Sequence, residues 1–265
     1  MTHLIRGFIC AALIVGITQI TAVPAAALAG PCSANRSLYF SVICQTSGHA
    51  EALYAEWPSV PLNITQASAN SGQWISEAMW VYHSWVDGQT QYAPWLELGD
   101  TAGGGAGTGG ILGHQNEWAR MWYWVDGTQG ACCGVTSYFI AYAPNDSVSR
   151  AWGIQYDTAL GSWGLYIGGV KYVTVTYFPN PNTMTNMRLF QGMEVNNGGT
   201  IPPPALNASK NSGLFTVRNM NYRDCCTWLP LISPTIQVDA PCGTSPTCLQ
   251  GWWTSYPRDW NNAKP

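Results

Sequence analysis

The stretch Ala151–Tyr177, AWGIQYDTALGSWGLYIGGVKYVTVTY, reads as three short β-strands. Ala151–Asp157, Gly164–Ile167 and Lys171–Tyr177 are rich in aromatic and β-branched residues, and Asp and Gly punctuate them. Each run is too short for an ordinary helix, and none carries a 3.6-residue apolar stripe with caps.

The same pattern extends both ways. Further strands are expected at Gln73–Tyr82, Ala93–Leu98, Trp118–Val125, Thr136–Ala143, Arg188–Val195, Gly213–Arg218 and Ile232–Val238. Their spacing of roughly 10–20 residues suits an all-β sandwich of the jelly-roll or concanavalin-like kind. Met184–Leu189 is the one place where a helical turn is expected. Gly30–Asn70, mixed and rich in Ser, Ala and Pro, reads as a loop-rich N-terminal segment, so the sandwich domain is expected over 71–265.

Residues 1–29 read as a secretory signal peptide. Arg6 gives a basic start, Gly7–Ile20 is apolar but too short to span a bilayer, and Ala27-Leu28-Ala29 is a small-x-small cleavage site. The expected location is therefore extracellular, with no membrane association after cleavage.

Composition narrows the function. The chain has 265 residues with 11 Lys+Arg against 14 Asp+Glu, and charged residues make up only 9% of it, against roughly 25% in ordinary soluble proteins. A nucleic-acid binder needs clustered cations, so nucleic acid is excluded as a partner. A hydrophobic share of 46% excludes disorder. The 14 Trp and 28 Gly fit a β protein with aromatic surfaces.

Of nine cysteines, Cys10 lies in the signal segment. The other eight, Cys32, Cys44, Cys132, Cys133, Cys225, Cys226, Cys242 and Cys248, read as disulfide partners in an exported chain. Cys32/Cys44 and Cys242/Cys248 could staple terminal loops, and the two doublets could bridge to each other. No C-x₂-C spacing or adjacent His supports zinc, so no metal is expected. The Gly-rich Thr101–Gly113 lacks a Walker lysine, and no organic cofactor is expected either. Asn35, Asn63, Asn145 and Asn207 begin N-glycosylation acceptor sequences, relevant only in a eukaryotic host.

Catalytic groups are few. His49, His83 and His114 belong to no G-x-S-x-G or H-E-x-x-H motif. Two glutamates stand out. In Trp95-Leu96-Glu97-Leu98-Gly99, strand alternation separates Glu97 from Leu96 and Leu98 and groups it with Trp95 and Gly99. In Leu189–Val195, Glu194 shares a face with Phe190 and Gly192, while Leu189, Met193 and Val195 point inward. Each carboxylate thus stands beside an aromatic residue and a glycine, and the glycine leaves space for a ligand. Trp118, Arg120, Trp122 and Trp124 share one face of their strand. That face is either core or, if it adjoins Glu97, the wall of a groove.

Four stretches in order resemble the neprosin family of glutamic peptidases: Trp95-Leu-Glu97-Leu-Gly99, Arg120–Cys132, Gln155–Gly168 and Leu189–Asn197. The resemblance implies an antiparallel β-sandwich with Glu97 and Glu194 in a groove on its concave sheet. It implies an endopeptidase acting in acid, with a preference for proline; with the signal segment, the expectation is a secreted monomer acting on an extracellular polypeptide. The pair would activate a water and polarise a peptide carbonyl. Trp95, Trp122, Trp124 and Phe190 would line the substrate groove. The alternative is a non-catalytic module that stacks its aromatic faces on polysaccharide. A glycosidase is disfavoured, because the E-x-D-x-x-E strand motif is absent.

Overall fold

The computed structural model describes residues 38–59, 74–82, 95–103, 117–125, 135–144, 146–184, 187–196, 212–238 and 250–264. Their backbone groups pair almost wholly between strands. One sheet runs β13 (Thr235–Val238), β1 (Leu38–Ser47), β10 (Met187–Asn196), β3 (Trp74–Tyr82), β4 (Trp95–Gly103), β5 (Glu117–Val125), β6 (Val135–Pro144). The other runs β14 (Gln250–Ser255), β15 (Asp259–Lys264), β11 (Ser212–Asp224), β2 (Ala52–Pro58), β7 (Ser149–Asp157), β8 (Ser162–Ile167), β9 (Val170–Val175), and β12 (Thr227–Pro230) also pairs with β11. All these pairings are antiparallel, and the two sheets form a sandwich.

The core is filled from both inner faces at the two-residue period of the strands. Leu53, Ala55 and Trp57 of β2 and Trp152 and Ile154 of β7 come from the second sheet. They meet Ile75, Met79 and Val81 of β3, Leu96 and Leu98 of β4, and Leu189, Met193 and Val195 of β10. Trp57 and Trp152 stack with centroids 4.6 Å apart and planes 4° from parallel. Each such side chain contributes about 1.5–3 kcal/mol on burial.

All ten strands expected from the sequence are present, with shifted ends. Five strands were not expected: the segment read as loop-rich supplies β1 and β2, interior strands of the two sheets, and β12, β14 and β15 follow β11. In β2 the alternation is clean, with Leu53, Ala55 and Trp57 buried and Tyr54, Glu56 and Pro58 half-buried. Its small and polar residues mask that period in a reading by composition. The helical turn expected at Met184–Leu189 falls instead at Pro181–Thr183, where the Asn180 side chain caps a 3₁₀ turn, and Met187–Leu189 already belongs to β10.

Disulfide stapling is not seen among the described residues: Cys44, Cys225 and Cys226 are free thiols. Cys44 packs against Trp80, Tyr82 and Phe190 in an apolar cluster, and burial pushes its thiol up to about 12, making it a packing side chain. Cys225 and Cys226 are the exposed two-residue turn between β11 and β12, both at positive φ as a type I′ hairpin requires. Cys32, Cys132, Cys133, Cys242 and Cys248 lie outside the described residues, as do the signal segment, His83, His114, the four acceptor asparagines and most of the Gly-rich stretch.

Candidate active site

Register between β10, β3 and β4 places the two glutamates. Glu97 of β4 lies opposite Trp80 of β3, which lies opposite Phe190 of β10. Two residues along, Gly99, Ala78 and Gly192 form the next row. Two residues further, Thr101, Ser76 and Glu194 form a third. All three rows face away from the sandwich core. Glu97 and Glu194 therefore flank a transverse row of small residues, on strands separated by β3 alone.

The glycines have a tighter reason than the sequence suggests. A Cβ on Gly99 would lie 2.3 Å from the Glu77 carbonyl oxygen and 2.5 Å from Ala78 Cβ. Gly192 has φ +152, and a Cβ there would lie 2.3 Å from the Ser41 carbonyl oxygen. The neighbouring strands leave no room for a side chain, and a low floor between the carboxylates follows.

Aromatic residues form one wall. Tyr82 stacks on Trp95 at 5.7 Å and meets Phe190 edge-on at 4.8 Å, and Trp80 meets Phe190 edge-on at 6.5 Å. The wall is buried, and so are Glu97 and Glu194, at 5% and 6% exposure. Trp95 Nε1 donates to Glu97 Oε2 at 3.3 Å, and the Trp80 side chain also hydrogen-bonds Glu97. Burial pushes Glu97 up to about 8, and the two indole donors oppose that rise by favouring the anion. Glu194 is raised well above the carboxylate range by burial and then by the Glu97 charge. Tyr82 is held as a neutral phenol by burial and by both glutamates. The Ser76 hydroxyl, fully buried in the row of Glu194, has no hydrogen-bond partner.

Trp95 and Phe190 thus belong to the site, but Trp122 does not. It pairs with Leu98 on the inner face, is buried in the core, and stacks on Tyr138 at 4.1 Å. Trp124 is in backbone register with Leu96, and its side chain lies outside the described residues. Arg120, two residues before Trp122, sits 5.6 Å over the core Trp152 ring and ion-pairs with Asp100 at 3.5 Å. At Trp122 the expected groove wall is core, because Trp122 pairs with Leu98, and the residue in register with Glu97 is Tyr123.

β3 was not read from sequence as part of the site. The signal was present: alternation in WISEAMWVY puts Ser76, Ala78, Trp80 and Tyr82 on one face.

No family model matches the chain, and no curated protein matches it. Among solved structures it is similar to scytalido-glutamic peptidase with a transition-state analog inhibitor, at 14% identity and TM-score 0.49, covering 86% of this chain and 98% of that one. It is similar to SCP-B, an eqolisin-family peptidase in complex with a tripeptide, at 12% identity and TM-score 0.47, with the same coverage. A Bacillus licheniformis β-glucanase is also similar, at 16% identity and TM-score 0.32, over 59% of this chain and 57% of that one. All three likenesses have TM-scores below 0.5 and identities below 25%, and none is to a neprosin-family protein. They concern the course of the chain, and the chemistry rests on the residues above.

Proposed function

We propose that the chain is an endopeptidase whose working pair is Glu97 and Glu194. The observation that carries this reading is the placement of two buried carboxyls on one face of the sheet, on either side of the Gly99–Ala78–Gly192 row; the Glu97 charge raises Glu194, so the pair keeps one proton over part of the pH range.

The environments assign the roles. Glu97 receives the indole donors and ionises first, so it acts as base. Glu194 feels the Glu97 charge and keeps its proton, so it acts as acid. A water oxygen bonds to the peptide carbonyl carbon as Glu97 takes one of its protons. The carbon–nitrogen bond breaks as Glu194 gives its proton to the amine. The pair again holds one proton, on the other member, and its return to Glu194 resets the site. Ser76, an unsatisfied hydroxyl in the same face, is placed to hold the water or the substrate backbone.

Burial raises both members of the pair, which bears on the expected acid optimum. The active single-proton form begins above the ordinary carboxylate range, so activity rises toward neutral pH. Polypeptide substrate and export through residues 1–29 belong to the same proposal. The polysaccharide-module reading is weakened at Trp122, which is buried.

The test is digestion of a denatured, proline-rich protein from pH 3 to 9, with Glu97→Gln and Glu194→Gln beside the parent chain and products read by mass spectrometry. Internal cleavage abolished by either substitution supports the pair. A folded parent that cleaves nothing at any pH overturns it.

A further inference from the structure

Away from the glutamate pair, three metal-ligating side chains from distant parts of the chain meet at one end of the second sheet. His49 stands in the loop between β1 and β2. Asp224 ends β11, and Cys225 opens the turn that follows. The loop is fixed to the strand: the Glu51 N–H donates to the Arg223 carbonyl at 2.8 Å, Arg223 Nε donates to the Glu51 carboxylate at 3.1 Å, and the Ser47 hydroxyl donates to the His49 carbonyl at 2.5 Å.

His49 Nδ1 lies 2.8 Å from Asp224 Oδ1 and 4.0 Å from Cys225 Sγ, and the three donor atoms all lie within 4.8 Å of one another. On the other side of the ring, Nε2 lies 3.1 Å from Asn182 Oδ1. A neutral imidazole has one N–H to donate. In the metal-free chain Nδ1–H donates to the Asp224 carboxylate; a cation that displaces that proton leaves the ring N–H on Nε2 for Asn182 and turns the Nδ1 lone pair to a site shared with a carboxylate oxygen and a sulfur. Three electron-pair donors converging on one point, with an outer carbonyl fixing the tautomer, is the arrangement a cation completes.

We propose that His49, Asp224 and Cys225 bind a zinc-class divalent cation, with water as the fourth ligand. Metal–ligand lengths of roughly 2.0–2.3 Å set tetrahedral donors roughly 3.3–3.7 Å apart. The spacings of 2.8 and 4.0 Å straddle that range, so small side-chain rotations close the site. An imidazole nitrogen and a thiolate select against calcium and magnesium, which take oxygen ligands. Thiolate and carboxylate together balance the charge of the ion. The expectation of no metal rested on the absence of a histidine near the cysteines in sequence. The fold supplies one from 176 residues away.

The chain is purified without chelator, and its thiols are alkylated under denaturing conditions without reductant. Cys225 should be modified. The folded chain is then titrated with cobalt(II) and displaced with zinc(II). One equivalent should give a thiolate-to-cobalt charge-transfer band that zinc removes. The band should vanish in Cys225→Ser, weaken at least tenfold in affinity in His49→Ala, and persist in Cys226→Ser. Asn182→Ala, which removes no ligand, should weaken binding by about 10–100-fold. Circular dichroism identifies any variant that fails to fold, and Asn182→Ala together with Cys226→Ser keeps the test decisive in that case. Cys225 found in a disulfide, no band, or a band that survives Cys225→Ser overturns the site. Glu97→Gln should leave the cobalt spectrum unchanged, so this result is independent of the peptidase assay.

Discussion

Glu97 and Glu194 face the same side of one sheet, with β3 alone between their strands and three residues of β3 between their register partners, Trp80 and Ser76. They stand on either side of a floor made by Gly99, Ala78 and Gly192, where an extended peptide and a water would lie between them. Replacing either by glutamine keeps shape and removes the ionisable proton. Each variant should lose about 10²-fold or more in kcat while remaining folded, measured by steady-state cleavage beside circular dichroism.

Stability should follow the same two groups with a defined sign. Burial raises Glu97 in the folded chain to about 8, whereas in the unfolded chain it keeps its ordinary 4.5. Between those values the folded state binds more protons, so the stabilisation is complete below about 4.5 and is lost as pH rises through about 8. Each pKa unit corresponds to about 1.4 kcal/mol. Chemical denaturation from pH 4 to 9 should show that decline, and Glu97→Gln should flatten it. A parent chain whose stability rises with pH over this range would refute the burial-driven shift.

Much of this arrangement was legible in the chain, and the rest failed for identifiable reasons. Alternation alone separated Glu97 from Leu96 and Leu98, and Glu194 from Met193 and Val195, because a strand has only two faces. Which of two strands' faces adjoin is a matter of register, which no single strand encodes. That is why Trp122 could not be assigned until its pairing with Leu98 was known. β1 was missed because both its faces are buried: Ile43 enters the main core while Val42 and Cys44 enter the aromatic cluster, so no polar alternation marks it. His49 and Cys225 meet only through the tertiary fold.

The floor between the carboxylates should be intolerant of any side chain. Gly99→Ala forces a methyl against the Glu77 carbonyl and Ala78 Cβ, both backbone-fixed. A cost of ~1–3 kcal/mol or more is expected from overpacking, read as a fall in thermal midpoint. Gly48, where an added Cβ meets nothing within 4 Å, is the control, and Gly48→Ala should be within about 0.5 kcal/mol of the parent.

Trp95 should set the pH profile rather than the shape of the site. Its indole N–H donates to Glu97 Oε2 at 3.3 Å, one of two donors favouring the anion. Trp95→Phe keeps an aromatic ring against Tyr82 and removes the donor. The Glu97 anion then becomes harder to form, so the acid limb of kcat/KM should move to higher pH while the plateau changes little. A side chain that acted only through packing would lower the plateau and leave the limb where it was. A pH–rate profile of Trp95→Phe against the parent separates the two, and an unmoved limb would remove Trp95 from the tuning of the pair.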